Sequence, residues 1–443
     1  MMTASSSFAA NGIFEDLEVG DPLRSGLTGS LFTDNADVKE FLDDAGLSLG
    51  ITQVMDYYGN TAGGIRQGFV YDGLFNVELE FDLQKTLGLT NTKVHINAAV
   101  TQGQNLSENY VGNIFVASSI ADQYHVAKLA DAWIERSFFD DALALRGGQM
   151  VAQNIFATNE AASLFTNATF AYPFIFAVNL PNDGATFVDA VPGALLRLTP
   201  IPSFTWQTSV FNALPAGTSS SGNRYGLEFP LGNGTMTWTE FIWMPGVTSD
   251  SENIPAIYKL GGWYNSISLD PKAVSFNGIS YETPDEATSV NGSYSVYLSV
   301  DQDIWQNKFI TNQKIRGFFR AATNPQSTHS LMTAYLDAGL RFSGMTSGRP
   351  KDEFGIAAAW GNISPAVNNQ VKQYNQYYTQ SAPLPTSEAV FELTYLAPIQ
   401  NWWSLQPFLQ YVVNPGGGSA NPNAPSQRIP NATIAGIRMA INF

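Results

Sequence analysis

Residues 433–443 read TIAGIRMAINF, and they alternate strictly. Ile437, Met439, Ile441 and Phe443 fall on one face, and Gly436, Arg438, Ala440 and Asn442 on the other. Successive side chains of a strand point to opposite sides, so this is a strand with one apolar face. Repetition gives the reading its weight. Residues 331–342 set Met332, Ala334, Leu336, Ala338, Leu340 and Phe342 against Thr333, Tyr335, Asp337 and Arg341. Residues 75–82 set Phe75, Val77, Leu79 and Phe81 against Asn76, Glu78, Glu80 and Asp82. In 403–413, Trp403, Leu405, Leu409, Tyr411 and Val413 oppose Ser404, Gln406 and Gln410. In 291–301, Tyr294, Val296, Leu298 and Val300 oppose Ser295, Tyr297, Ser299 and Asp301. Runs of about ten residues suit a tilted strand crossing a bilayer. Several exceed the roughly five or six residues usual in soluble sheets.

A soluble sandwich and an outer-membrane barrel both accept such strands, with the apolar face turned to a packed core or to lipid. Composition favours the barrel. Charged residues make up 14% of the 443, against roughly 25% in soluble domains. A lipid-facing Lys or Arg costs roughly 2–4 kcal/mol at the bilayer midplane, so half the strand positions must stay uncharged. Aromatic residues gather near candidate strand ends, at Trp402-Trp403, Trp238 with Phe241 and Trp243, Trp263-Tyr264, Phe318-Phe319 and Tyr377-Tyr378. They suit interface girdles, although a sandwich core would also use them. No stretch approaches the 18–20 apolar residues of a membrane helix. With 22 Lys+Arg, 38 Asp+Glu and a formal charge of −16, the chain offers no cluster for nucleic acid. The absence of cysteine excludes disulfides and thiolate metal sites. The opening MMTASSS lacks a basic and an apolar signal region, which reads as a mature chain behind an added initiator Met.

Strand candidates fall near 46–57, 66–82, 92–102, 131–139, 141–151, 193–199, 203–212, 223–230, 235–243, 254–265, 291–302, 315–323, 331–342, 351–361, 387–397, 402–413 and 433–443. Closed bacterial barrels have an even count, so sixteen are expected, with the surplus in 46–82 or 193–243. Connections at 140–141, 200–202, 348–350 and 398–401 are short. Those at 103–130, 152–192, 266–290, 362–386 and 414–432 are long and rich in Gly, Pro, Asn and Ser. Short turns at one end and long loops at the other is the outer-membrane pattern. The segment 152–192 carries Phe165, Phe170, Tyr172, Phe174 and Phe176, too apolar for open solvent, and is expected to fold into the lumen. Residues 1–45 read as an N-terminal segment at the periplasmic mouth or in the lumen, with a short helix over 36–45 after Thr33-Asp34-Asn35. Residues 46–443 read as the barrel.

Four segments carry a resemblance: KLGGWYNS (259–266), LDAGLRFSGMTSGRPKDEFGIAAAW (336–360), LTYLAPIQNWWSLQPFLQYVVNPGG (393–417) and DAWIERSFFDDALALRGGQMVAQNIFA (131–157). Together they resemble the carbohydrate-selective porins of the OprB family from about residue 45 onward, most specifically at NPGG and the strand before it. The resemblance implies an all-β, sixteen-stranded antiparallel transmembrane barrel in a Gram-negative outer membrane, passing carbohydrates by diffusion. It implies a barrel set in outer-membrane lipid and lipopolysaccharide, working as monomer or homotrimer. Phe443 with Ile441, Met439 and Ile437 looks like the signal read by the barrel assembly machinery. The chain departs from the family's flavour in its acidity and modest Arg content, which bears on sugar preference.

A sugar is neutral, hydroxyl-rich and apolar on its ring faces, so a selective pore needs donors, acceptors and aromatic platforms at a narrow section. The polar-face candidates are Trp133, Glu135, Arg146, Arg197, Glu240, Arg316, Arg320, Asp337, Arg341, Glu392, Gln410 and Arg438. The competing reading is that these charges pair across strands and hold the wall. Asp337 and Arg341, four apart on one face, are expected to pair. Enzymatic signals are weak. Gly46-Leu47-Ser48-Leu49-Gly50 matches G-x-S-x-G, but without the strand–turn–helix setting a nucleophile needs. His95, His125 and His329 are isolated, the adjacent acids Asp43-Asp44 and Asp140-Asp141 suit caps and turns, and a metal site at Asp301 and Asp303 is generic. No phosphate loop is present, and neither cofactor nor metal is expected. An energy-coupled transporter would need a plug of over a hundred residues before the barrel, against the 45 here. Two other functions remain open: a pore for small anions or organic acids, and a soluble all-β glycan-active enzyme using two carboxylates.

Overall fold

A sheet placed in lipid cannot leave an edge of unpaired N–H and C=O groups, so strands with one charge-free face must close on themselves. The computed structural model describes residues 27–121, 125–215, 223–232, 234–248, 251, 254–269, 275–276, 279–280, 290–310, 312–328 and 330–443, and it shows that closure. Sixteen strands form one antiparallel ring: β1 (Leu47–Ala62), β2 (Gly68–Asp82), β3 (Thr92–Gly103), β4 (Ala127–Phe138), β5 (Leu143–Met150), β6 (Val191–Ile201), β7 (Phe204–Asn212), β8 (Thr235–Trp243), β9 (Ala256–Leu269), β10 (Val290–Gln306), β11 (Lys314–Thr323), β12 (Met332–Ser343), β13 (Glu353–Ile363), β14 (Ser387–Gln400), β15 (Trp403–Val413) and β16 (Ala432–Asn442). Each pairs with its sequence neighbour, and β16 closes on β1 with Thr52 opposite Asn442 and Tyr58 opposite Gly436. The surplus strand candidate is 223–230. Among the described residues its alternating Tyr225, Leu227 and Phe229 join no ladder: Asn223 bonds Glu228 within the segment, and the Tyr225 carbonyl accepts from Leu129 N–H of β4.

The four short connections all lie at one end, the turn end, and the long ones at the opposite, loop end. Most of 266–290, together with His329 and residues 1–26, falls outside the described residues. At the turn end sits helix α1 (Ala36–Asp44), capped by the Asn35 side chain, which accepts from Asp37 N–H at 3.0 Å. The N–H groups of Gly29 and Leu31 tie the preceding chain to the carbonyls of Asn401 and Asn442, each at 2.9 Å. A second helix, α2 (Pro365–Tyr378), lies at the loop end.

The apolar faces point outward: Leu260, Leu298, Phe319, Leu336, Ile356, Phe391 and Leu409 are exposed on the outer wall, while Lys259, Ser299, Arg320, Asp337, Glu392 and Gln410 beside them are buried within. A sandwich would show the reverse. One apolar residue changes sides: a bulge between Met332 and Ala334 turns Met332 into the interior core. The paired aromatics also divide. Phe241, Trp243, Tyr264 and Phe319 face out, but Trp238, Trp263 and Phe318 share the parity of lumenal residues and face in. Tyr377 and Tyr378 belong to α2 rather than to a girdle.

The interior is not an open bore. Residues 151–190 fold inward as expected, and 104–121 do so as well. Phe156, Phe165, Phe170 and Phe176 have almost no exposed surface and pack on Trp238, Tyr297 and Phe318 of the wall. Burying each such ring is worth about 1.5–3 kcal/mol, enough together to keep the segment inside.

Candidate functional site

Lumenal side chains of β6 to β16 are occupied with holding the inward segments. Glu240 accepts from the N–H of Ala157 (2.9 Å), Gln207 Nε2 (2.9 Å) and the Tyr297 hydroxyl (2.6 Å). Glu392 accepts from the N–H groups of Thr166 (2.7 Å) and Asn167 (2.9 Å). Gln410 donates to the Ala117 carbonyl at 2.8 Å and to Glu392 at 3.2 Å. Arg320 grips Asp337 (3.0 Å from Nε) and donates to the carbonyls of Thr169 (3.2 Å) and Phe170 (2.7 Å). Arg341 pairs with Glu353 at 2.8 Å and reaches the Glu160 carbonyl at 3.1 Å. Arg316 binds Asp301 and Asp303, so those two acids form an ion-pair cluster. Arg438 takes both oxygens of Asp56 at 2.8 Å and also reaches Ser119 at 3.1 Å. Asp337 and Arg341 do not pair. Four residues along a strand span about 13 Å, whereas Arg320 stands directly across the ladder from Asp337.

A carboxylate absent from the sequence candidates explains the NPGG segment. Asn414, Gly416 and Gly417 all have positive φ (53°, 64° and 69°), a conformation that aims backbone N–H groups into a hollow. Glu388 fills it, accepting from Gly416 N–H at 2.7 Å and from Phe115 N–H at 2.7 Å on the inward segment 104–121. Its lumenal parity on β14, four residues before Glu392, was the available signal.

The β2 to β5 wall differs. Glu80 and Lys93 lie 3.7 Å apart with side chains 36% and 32% exposed. His95 Nε2 stands 3.1 Å from Asp131 and its ring stacks on Trp133, centroids 4.8 Å apart. From the other neighbouring strand, Arg146 lies 3.7 Å from the Trp133 ring centroid, so that indole is already flanked. Arg146 also donates to Glu135 at 2.8 Å, and Arg197 stands 3.9 Å from the same carboxylate. Glu78 accepts from the amides of Asn76 (2.9 Å) and Asn97 (3.1 Å).

Between the two inward segments and this wall lies a cavity of about 240 Å³, lined among others by Thr101, Ser118, Gln153, Tyr172, Asp183 and Asp189. Burial and the neighbouring Asp189 carboxylate push the Asp183 carboxyl up to about 6. A larger concavity of about 790 Å³, with Phe319, Leu340, Ile356 and Phe391, opens on the apolar outer face of β10 to β15 and belongs to the lipid side. Among the described residues, no group of three or more His, Asp or Glu is placed to hold a metal. Ser48 is the second residue of β1, which follows α1 in a helix–turn–strand order, so no strand–turn–helix elbow presents it.

An apolar exterior, a polar inner wall and loops folded into a sixteen-stranded ring together define a porin. The chain belongs to the carbohydrate-selective porin, OprB family, whose sequence profile matches residues 66–443. Porin B of Pseudomonas aeruginosa is 22% identical over 420 residues, covering 90% of this chain and 88% of that one. In fold the chain is similar to the high-pH structure of Pseudomonas putida OprB, with a TM-score of 0.81 at 21% identity, over 93% of this chain and 97% of that one. It is also similar to the outer-membrane channel DcaP of Acinetobacter baumannii, with a TM-score of 0.51 at 8% identity, over 90% of this chain and 97% of that one. The protein is an outer-membrane carbohydrate channel.

Proposed function

We propose that mono- or oligosaccharides cross this barrel by passive diffusion, without catalysis and without energy coupling, along the β1 to β5 side of the lumen. The observation that carries this reading is the contrast of surfaces. The β2 to β4 wall keeps Glu78, Glu80, Lys93 and His95 partly open, while the opposite wall is covered by the segment 151–190. The route offers hydroxyls and carboxylates together with Tyr172, which suits a neutral ligand with apolar ring faces. The acidic lining at Asp183, Glu78 and Glu80 repels anions, which disfavours an organic-acid pore.

Of the twelve candidate residues, Trp133 and Glu135 stand closest to this path. Glu240, Arg316, Arg320, Asp337, Arg341, Glu392, Gln410 and Arg438 shape the pore indirectly, by positioning the loops. The turn end, with α1, faces the periplasm, and the long loops face lipopolysaccharide. Phe443 is the residue offered to the assembly machinery, and the barrel works as a monomer or homotrimer. Liposome swelling with purified protein tests the proposal: glucose and maltose should enter faster than equally sized organic anions. Equal rates for both classes, or no sugar entry, would overturn it.

A further inference from the structure

The 240 Å³ cavity between the two inward segments and the β2 to β3 wall has a definite capacity. At about 30 Å³ per water it takes roughly eight molecules. Sites for drug-sized ligands run from roughly 300 to 1,000 Å³, so a single small ring fits here and a second stays outside. The cavity is open at its margin, where Asn105, Phe174 and Thr186 are half-buried and Asp183 is exposed.

What its lining leaves unspent is more telling than its size. Tyr172 is 5% exposed and lines the cavity, yet its hydroxyl bonds no other group among the described residues. A buried hydroxyl is costly to leave unmatched, so one kept against a cavity serves water or a ligand. Gln153, 9% exposed, accepts from Phe187 N–H through Oε1 at 3.2 Å. That bond fixes the amide and leaves both Nε2 hydrogens unused among the described residues. Ser119 Oγ accepts from Arg438 at 3.1 Å and keeps its own O–H to give. The Asp183 carboxylate has no ion pair or hydrogen bond among the described residues. Leu74, Ile120 and Val188 supply apolar surface beside these groups. On the covered wall, by contrast, Glu240 and Glu392 are spent on backbone N–H groups of the inward segments.

We propose that this recess is a binding subsite for one neutral monosaccharide, an inference that rests on the passive sugar pathway above and narrows its substrate. Ring hydroxyls donate to Asp183 and accept from Tyr172, Gln153 and Ser119, while a C–H face covers Leu74, Ile120 and Val188. Hydroxyl donors to a carboxylate make the stronger bonds of the set. A longer glycan enters with its terminal ring alone. A phosphorylated sugar meets the Asp183 charge and is repelled. The recess stands at the side of the lumen, so it captures sugar without having to conduct it.

The test uses the full chain refolded in a sugar-free detergent, lauryldimethylamine oxide, with heat-modifiable mobility as the check of folding. Saturation-transfer NMR titrations with glucose, maltotriose and glucose 6-phosphate read the binding. Wild type should bind glucose, bind maltotriose no more tightly and through one terminal ring, and leave glucose 6-phosphate unbound at pH 7.5. Tyr172→Phe removes only the hydroxyl and should weaken glucose about three- to ten-fold. Asp183→Asn should weaken glucose several-fold and admit glucose 6-phosphate. If one variant fails to fold, the other decides. A wild-type chain that binds no glucose, or a folded variant that binds it as tightly as wild type, overturns the recess. Liposome swelling judges the pathway separately: sugar entry without this binding leaves the pathway standing. Glucose bound with these dependences but refused by liposomes sinks the pathway and keeps the recess.

Discussion

Two carboxylates at similar depth behave differently. Glu240 lies three residues from the end of β8 and is fully buried; Glu78 lies four from the end of β2 and stays partly open. Both sit on lumenal faces, and both accept hydrogen bonds from neighbouring amides. The difference is what lies over them. The segment 151–190 presses its aromatic residues and backbone onto β7 to β15, so polar groups there serve as fasteners. On the β2 to β4 wall the turn-end stretch with Glu78, Glu80, Lys93 and His95 stays partly open. A porin can thus spend most of its lumenal charge on building the constriction and reserve a minority for the passenger.

The contrast can be broken most severely on the covered side. Arg320→Met leaves Asp337 buried without its cation and should destabilise the barrel by about 3–5 kcal/mol, read from urea unfolding in micelles. Adding Asp337→Leu removes the orphaned charge and should recover most of that loss; if the double variant unfolds as easily as the single, the pair is not the fastener described here. Glu392→Ala strands the Thr166 and Asn167 amides at about 1–3 kcal/mol for each, and open-channel noise should grow as the segment loosens. A quiet, equally stable variant would contradict the clamp.

The open side should respond in selectivity rather than stability. With its carboxyl raised to about 6, Asp183 binds its proton more tightly in the folded chain than in the unfolded one. Its stabilising contribution is therefore present below the unfolded value near 4 and is lost as pH rises through about 6. Reversal potentials should show cation preference falling as pH drops from 7.5 to 5, and Asp183→Asn should flatten that step. The smallest effect belongs to Lys93→Gln. It breaks a solvated pair worth about 0–1 kcal/mol and should leave unfolding unchanged while nudging the current toward cations.

Much of this architecture was readable from alternation. Period-two parity placed Glu135, Arg146, Arg320 and Glu392 on the inner wall, and the phenylalanines of 152–192 announced a segment that could not stay in solvent. The same parity, applied to Trp238 and Trp263, would have sent them inward with Glu240 and Lys259 instead of into a girdle. Other features had no local signal. The segment 104–121 is pinned by Glu388, more than 270 positions away, through backbone N–H groups that any residue supplies. Whether a lumenal side chain is wet or covered depends on which distant loop crosses it, and spacing along one strand carries no such information. The misjudged partnership of Asp337 and Arg341 has the same origin, since ladder neighbours come from a different strand.

The closing seam has a consequence for how the molecule comes into being. Thr52 and Asn442, bonded side chain to side chain, are separated by 390 positions. A nascent chain that has delivered β15 still exposes two ragged flanks, each ready to zip onto a stranger. Only arrival of β16 cancels both liabilities at once, so the ring can close no earlier than the delivery of its last strand.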